Sequence, residues 1–472
     1  MNSYSAGFGD TIAAPATSPG AGAVSIIRVS GPGAFSVVDK VVTFRHGTAA
    51  AAKGQTVKYG SVLDGGTVVD EVLAGIFKAP HSYTGEDSVE ISFHASAYIC
   101  SEILRLLTEA GARLAGPGEF TRRAFVNGKM DLAQAEAVAD VISASGSASL
   151  RVAQNQLRGG YSAALKHLRS QLVEMTSLLE LELDFSEEDV EFADRSKLIL
   201  LIDSTLNNIN HLVESFRYGN ALRNGVPVAI VGAVNSGKST LLNTLLGDER
   251  AIVSDVAGTT RDTVEDTMTL DGILFRFIDT AGLRETSDSI ENIGISRSYK
   301  KLSEASVVLA VLDLLTTEEE NAEIVSNIVS KVDFRSQTLM ILLNKWDVLD
   351  FNKNVKFSNF NVLFAGAKPI MMNISAKTGF GLDELKRQLV QSQKALVSES
   401  DRTIVTNARH YEALKNAGKS LSAARDSLSS GRPSDLVAED LRQAGHHLGS
   451  ILGEVTNDEI LGTIFERFCI GK

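Results

Sequence analysis

At 472 residues the chain is too long for a single hydrophobic core, and about three domains is the natural expectation. Its 46 Lys and Arg stand against 58 Asp and Glu, a net charge of −12, so the molecule as a whole does not attract nucleic acid; any RNA contact must use a local basic patch or a more basic partner. Cys100 and Cys469 are too far apart to make a disulfide framework, the amino terminus lacks a basic and apolar leader, and no run approaches the roughly 20 apolar residues of a membrane span, so a cytoplasmic protein with no membrane contact is expected. Up to about residue 124 the pattern is strand-rich, with strands predicted over residues 24–29 and 89–93 and turns at Gly31-Pro32-Gly33 and Asp64-Gly65-Gly66. A helix is predicted from Ser101 to Gly111, ending at a glycine as a C-cap should. From Asp131 to Leu222 the period becomes helical, and Tyr161, Leu165, Leu168, Leu172, Met175 and Leu179 make one apolar stripe. The same stripe returns at Tyr411, Leu414, Ala417, Leu421, Ala424 and Leu428. Helical blocks on both sides of an α/β unit predict that this unit is inserted into one helical domain.

The α/β unit carries the chemistry. Residues 226–231 predict a buried strand, Gly232-Ala233-Val234-Asn235-Ser236-Gly237-Lys238-Ser239 follows directly, and Leu241 and Leu242 open a helix. Strand, glycine-rich turn and helix form a P-loop, because backbone N–H groups at the helix start converge on phosphate oxygens. Gly232 and Gly237 permit the turn, Lys238 reaches the β- and γ-phosphates, and the Ser239 hydroxyl is placed to ligate Mg²⁺. Ser236 and Thr240 belong to the same nucleotide-binding segment. Asn344-Lys345-Trp346-Asp347 follows an apolar run; the Asp347 carboxylate accepts from guanine N1–H and the 2-amino group, which selects GTP over ATP. Ser375-Ala376-Lys377 is the second base-contacting loop.

Between them, Asp279-Thr280-Ala281-Gly282 offers an Asp for the metal's water shell and a Gly amide for the γ-phosphate. Leu283 stands where the Ras pattern has a water-orienting Gln, so the catalytic group must come from elsewhere. The segment Ser254-Asp255-Val256-Ala257-Gly258-Thr259-Thr260 is assigned to the nucleotide, with Thr260 offered to Mg²⁺ and the γ-phosphate. Arg261, next in that loop, is a catalytic candidate, and Asn235 offers a side-chain oxygen beside the phosphates.

Gly-Thr-Thr-Arg-Asp at 258–262, Asp-Thr-Ala-Gly-Leu-Arg-Glu at 279–285 and the final Cys469-Ile470-Gly471-Lys472 resemble the bacterial tRNA modification GTPase family, MnmE/TrmE, which acts on C5 of wobble uridine. The resemblance extends over essentially the whole chain, through Asp10-Thr11-Ile12-Ala13-Ala14, residues 82–87, 116–121 and 127–136. Val234 replaces a proline usual in that family's P-loop, and His94-Ala95-Ser96 replaces His-Gly-Gly.

The resemblance implies a multidomain α/β plus α protein. An α+β folate-binding-like and dimerisation domain would span 1–124, a helical domain 125–222 and 393–472, and an inserted Ras-like P-loop GTPase domain, a mixed sheet flanked by helices, 223–392. It implies a K⁺ ion held by Asn235, Ser254, Val256 and Thr259 in place of an arginine finger, and Glu291 as the water-orienting acid. Without it, Glu291 reads as a solvated helix charge. It further implies that Arg28, Glu90, Lys129 and Lys472 hold a tetrahydrofolate derivative, 5,10-methylene- or 5-formyl-tetrahydrofolate, with Cys469 near that ligand as a catalytic candidate. The implied partners are GTP and GDP, a second copy of the chain, an FAD-containing modification protein and tRNA. The rival is a GTP-dependent ribosome-assembly switch, against which stands the absence of a KH-type clamp and of a second P-loop.

Overall fold

The computed structural model describes residues 9–18, 20, 22–184, 195–247, 266–278, 302, 304–348, 369–393, 403–455, 458–466, 468 and 471. The chain divides into two compact units: Met1–Ala139 with Gln156–Ile202 and Lys419–Lys472, and Asp140–Asn155 with Asp203–Gly418.

In the first unit, strands β1 (Ile12–Pro15), β2 (Val24–Ser30), β3 (Val42–Phe44), β4 (Thr56–Asp64), β5 (Thr67–Phe77), β6 (Ser88–His94) and β7 (Arg113–Leu114) form one sheet in the order β3-β4-β5-β6-β2-β1-β7. All its pairings are antiparallel except β1 with β7. Alternation decides its faces. Ile27 and Val29 on β2, Val89, Ile91 and Phe93 on β6, and Val72, Ala74 and Ile76 on β5 share one core with helices α1 (Ala34–Val41) and α2 (Ala97–Glu109). A strand reverses face at every residue, so Arg28 and Glu90 lie on the opposite side. There, helix α3 (Glu119–Val126) contributes Phe120 to a small cluster with Ile12, Ala14 and Tyr83.

The predicted strands at 24–29 and 89–93 are β2 and β6, and both predicted turns connect elements where expected. The predicted helix 101–111 differs: α2 begins at Ala97, behind an extended Ser96, and ends at Glu109. Gly111, at φ +114°, follows the last turn as the expected glycine cap: its N–H donates to the Thr108 carbonyl at 3.1 Å and Ala112 N–H to the Leu107 carbonyl at 2.9 Å.

Beyond α4 (Leu132–Ser143) and α5 (Ser147–Leu157) run two long helices, α6 (Gly160–Asp184) and α7 (Arg195–Asn224). The whole apolar stripe from Tyr161 to Leu179 is buried.

In the second unit, β8 (Val226–Val231), β9 (Asp266–Leu270), β10 (Ile273–Ile278), β11 (Val307–Asp313), β12 (Thr338–Asn344) and β13 (Ile370–Asn373) form a sheet ordered β13-β12-β11-β8-β10-β9, parallel except for the β9–β10 hairpin. Its central strands read as continuous apolar runs because both faces are covered. Val307, Leu309 and Val311 face a core shared with α8 (Lys238–Gly247) and α10 (Leu382–Ser392), while Val308, Ala310 and Leu312 face α9 (Glu318–Val329). Ala148 and Val152 of α5 and Ala221 and Leu222 of α7 join the first of these cores.

The chain leaves α7 into β8 through Gly225 alone and returns as residues 403–407 before helix α11 (Ala408–Ser429). The return lies against α7: a Cβ on Gly219 would sit 2.0 Å from the Val405 carbonyl oxygen, and Val405 N–H donates to Ser215 Oγ at 3.1 Å. Phe216 stacks on Tyr411 at 4.5 Å, and Gly418 faces Leu206 and Ile209, so α7 and α11 run antiparallel. In the first unit, helix α12 (Ser434–Leu452) pairs in the same sense with α6, through Ser434 to Glu182 and Arg442 to Glu180. A last helix, α13 (Asp458–Phe465), packs Leu461 and Phe465 with Leu132 of α4.

Candidate functional site

The carboxyl ends of the parallel strands β8, β11, β12 and β13 gather the nucleotide motifs, at the place where ligands bind in open α/β sheets. The turn after β8 is shaped by close approach. Gly232 has φ +152°, and a Cβ there would lie 2.1 Å from the Val311 carbonyl oxygen; Gly237 has φ +97°, and its Cβ would lie 2.2 Å from Asn344 Nδ2. Asn235, exposed at the loop's crest, takes a left-handed φ of +62°. Lys238 folds back over this cradle, donating to the carbonyls of Gly232 at 3.0 Å and Ala233 at 2.5 Å, and burial pushes its ammonium below the ordinary lysine range. A glycine-walled hollow with a desolvated cation suits phosphate.

Asn344 ties three segments together. Its Nδ2 donates to the Ser236 carbonyl at 2.7 Å and its Oδ1 accepts from Ala376 N–H at 2.9 Å, so one amide joins the P-loop, the end of β12 and the Ser375-Ala376-Lys377 loop. Ser375 Oγ donates to Asp347 Oδ1 at 2.6 Å, which orients the carboxylate expected to read guanine. Thr244 Oγ1 of α8 donates to the Ala376 carbonyl at 2.8 Å, a contact nothing in the sequence pattern signals. Lys345 pairs with Asp313, at the end of β11. Lys377 and Thr240 are exposed.

Ser239 follows Lys238 in the first turn of α8, and Asn235 stands four residues before Ser239 on the preceding loop. The other residues expected around Mg²⁺ and K⁺, and the expected catalytic groups, lie outside the described residues: Ser254, Asp255, Val256, Ala257, Gly258, Thr259, Thr260 and Arg261, Asp279, Thr280, Ala281 and Gly282, and Glu291. So do Cys469 and Lys472.

In the first unit Arg28 and Glu90 are register partners on β2 and β6, and Arg28 Nε and Nη2 reach Glu90 Oε1 at 2.9 and 2.8 Å. The guanidinium lies 4.9 Å from the centre of the Tyr83 ring and 5.5 Å from that of Phe120. Lys129 is held at the other end of the same loop, donating to the Pro80 carbonyl at 2.9 Å. Loop and sheet are locked by Arg123, which is fully buried and binds the Asp10 carboxylate at 2.7 Å, Glu119 at 2.9 Å and Glu86 at 3.2 Å. Nothing in the sequence marks Arg123, Tyr83 or Phe120 as site residues, since an Arg-Arg pair or an isolated ring carries no signal of its own. Gly471 meets the far end of β1: a Cβ there would lie 1.8 Å from the Pro15 carbonyl oxygen. Pro15 pairs with Ile27, the neighbour of Arg28. A cation flanked by two rings, next to a carboxylate, suits a flat heteroaromatic ligand with an amino edge and an anionic tail.

Comparison with known proteins agrees with this division of the chain's motifs. A family model described as "GTP-binding protein TrmE N-terminus" matches residues 11–129, and one described as "MnmE helical domain" matches residues 132–469. The "tRNA modification GTPase MnmE" of Bacteroides thetaiotaomicron is 47% identical over 467 residues, covering 98% of this chain and 99% of its own. That of Flavobacterium johnsoniae is 47% identical over 469 residues, with 98% and 99% covered, and that of Porphyromonas gingivalis 49% over 469 residues, with 98% of each covered. With two family models and relatives of nearly the same extent matching from end to end, this chain belongs to the MnmE/TrmE family of tRNA modification GTPases.

Proposed function

We propose that this chain is a GTP hydrolase of tRNA modification that, with an FAD-containing partner, builds an aminomethyl or carboxymethylaminomethyl group at C5 of wobble uridine. The observation that supports the nucleotide half is the Asn344 clamp, whose amide ties the Ser236 carbonyl to Ala376 N–H. Asp347, steadied by Ser375, would accept from the guanine edge, and Lys238 would bind the β- and γ-phosphates. Ser239 and Thr260 would ligate Mg²⁺, which would supply positive charge against the phosphates. Asn235, with Ser254, Val256 and Thr259, would hold K⁺, which supplies the positive charge of an arginine finger. Glu291 would orient the attacking water, with Arg261 as a second catalytic residue.

The modification half rests on the amino-terminal cluster. Arg28 and Glu90 would bind a tetrahydrofolate derivative, the one-carbon source, with Lys129 and Lys472 toward its anionic tail and Cys469 beside it. The packing of Gly471 on Pro15 supports bringing the carboxyl terminus to that sheet. The chain would act as a homodimer through residues 1–124 in the cytoplasm, with hydrolysis coupled to pairing of the G domains at 223–392. Among the described residues, no helix is long and apolar enough to cross a membrane.

One paired assay tests both halves: GTP turnover of the purified protein, and mass spectrometry of tRNA nucleosides from a deletion strain complemented with each variant. Hydrolysis is expected to be faster in K⁺ than in Na⁺ at matched ionic strength, and Asn235→Ala should remove the difference. Removing residues 469–472 should leave basal hydrolysis in place and eliminate the modified uridine. Equal rates in the two salts would sink the potassium reading, and full modification by the truncated protein would sink the folate reading.

A further inference from the structure

Asp313 is the last residue of β11, after six apolar residues, and it is buried at the mouth of the nucleotide site. Its register partner is Asn344, the last residue of β12, so the two strands end side by side. Each oxygen of Asp313 has a separate task. Oδ1 accepts from Leu315 N–H at 2.9 Å, Oδ2 takes the Lys345 ammonium, and the main-chain carbonyl accepts from Asn321 Nδ2 of α9 at 2.9 Å. Asp313 is thereby fixed from both sides before it touches Lys345.

Lys345 is the residue that most needs such an anchor. It has φ +69°, a left-handed conformation that is unfavourable for a side chain with a Cβ. That single step turns the chain from β12 into the 3₁₀ turn Trp346–Val348, which carries Asp347. The main chain holds the far side of this step, with Trp346 N–H donating to the Ile374 carbonyl at 3.1 Å, and the Asp313 ion pair holds the Lys345 side chain.

We propose that Asp313 is a positioning residue of the guanine site, acting through its ion pair with Lys345 to hold the left-handed step that aims Asp347. The inference rests on the nucleotide reading above and adds to it a residue that touches no part of the ligand. Because the same turn serves GTP and GDP, Asp313 governs affinity for both equally and leaves the hydrolytic step alone.

The test titrates a fluorescent GDP analogue and measures GTP turnover on the full-length chain, comparing wild type with Asp313→Asn, Asp313→Ala, Lys345→Ala and the Asp313→Ala/Lys345→Ala double variant. Asp313→Ala is expected to raise the Kd for GDP and the KM for GTP by a similar factor, roughly tenfold, as for loss of a charge-assisted bond. The kcat at saturating GTP should stay within about twofold, the signature of lost uniform binding. In the Lys345→Ala background the Asp313 change should add nothing further, because its route of action is gone. Asp313→Asn keeps an acceptor for Leu315 N–H, and should weaken binding with an unchanged thermal midpoint. An unchanged Kd in Asp313→Ala, additive effects in the double variant, or a fall in kcat in place of affinity each overturns the proposal. Wild-type protein that fails to bind GDP overturns the nucleotide reading itself, a result separate from any difference among variants.

Discussion

Lys238 sets the nucleotide site against its own stability. Burial depresses its folded-state pKa below the ordinary 10.5. Below the depressed value, folded and unfolded chains both carry the proton, and the cost of the buried charge is fully present. As pH rises from there to 10.5, the folded state sheds its proton first and that cost disappears, so the unliganded protein gains stability from this group. Phosphate binding has the opposite preference, for the charged amine. GTP affinity is therefore expected to hold at lower pH and to fall as pH climbs through the same window, and to fall more steeply than in Lys238→Arg, charged throughout, where only the ionisation of guanine N1–H acts. A titration series across alkaline pH decides it, and parallel profiles for the two proteins would rule it out. The residues that bind were legible because phosphate and guanine chemistry impose fixed types at fixed spacing. Those that support them were not: Asp313 looks like the polar end of a strand, and Thr244 like any helical threonine.

At the level of elements, α3 is held by an ion cluster around a guanidinium with no exposed surface. Burial tends to raise the Glu119 carboxyl, but Arg113, the Gly116 N–H and Arg123 together pull it below the usual range. Asp10 is pulled down likewise, against its own burial, by Arg113 and Arg123. Carboxylates lowered in this way stabilise the fold above their ordinary values, 4.5 for Glu119 and 3.8 for Asp10, and that contribution is lost as pH falls through the depressed ones. Arg123→Met would leave Asp10 and Glu119 to Arg113 alone and take from Glu86 the cation beside it, and is expected to cost about 3–5 kcal/mol. Asp10→Asn, at a half-exposed carboxylate, should cost no more than about 1 kcal/mol. Denaturant unfolding of the two variants checks the ranking, and equal losses would show that the cluster is merely a surface network. Periodicity made β2, β6 and α6 legible, since one covered face dictates each second or fourth residue, and β11 showed as a continuous apolar run because both its faces are covered. Periodicity misplaced the start of α2 by one turn, because residues 97–100 carry too little polar contrast to show which way they fold.

For the whole molecule, the telling feature is that the segment from β8 to α10 leaves and returns at one place, where Val405 lies on Gly219. A chain with a short Gly-Ser linker in place of residues 226–402 is expected to retain helical circular dichroism and one cooperative thermal transition; a non-cooperative melt would show that α7 and α11 need the sheet between them. Helical blocks on both sides of an α/β unit made such an insertion legible, but the touching ends were not, because Gly219 in mid-helix reads as a weak point until the returning backbone is seen to occupy the space a side chain would fill.

That contact also bears on the order of folding. If α7 must find α11 while the intervening segment is still unfolded, the encounter closes a loop whose entropy cost grows with the logarithm of its length. If the segment folds first, its ends are already adjacent and the closure is that of a few residues, lower by about 3 kcal/mol. The helical pair should then assemble late, in a phase whose rate tracks the folding of the P-loop sheet. Substitutions deep in that sheet, such as at Val311, would slow helix docking far from the position changed, and a vectorially synthesised chain would gain the most, since the segment leaves the ribosome before α11 does.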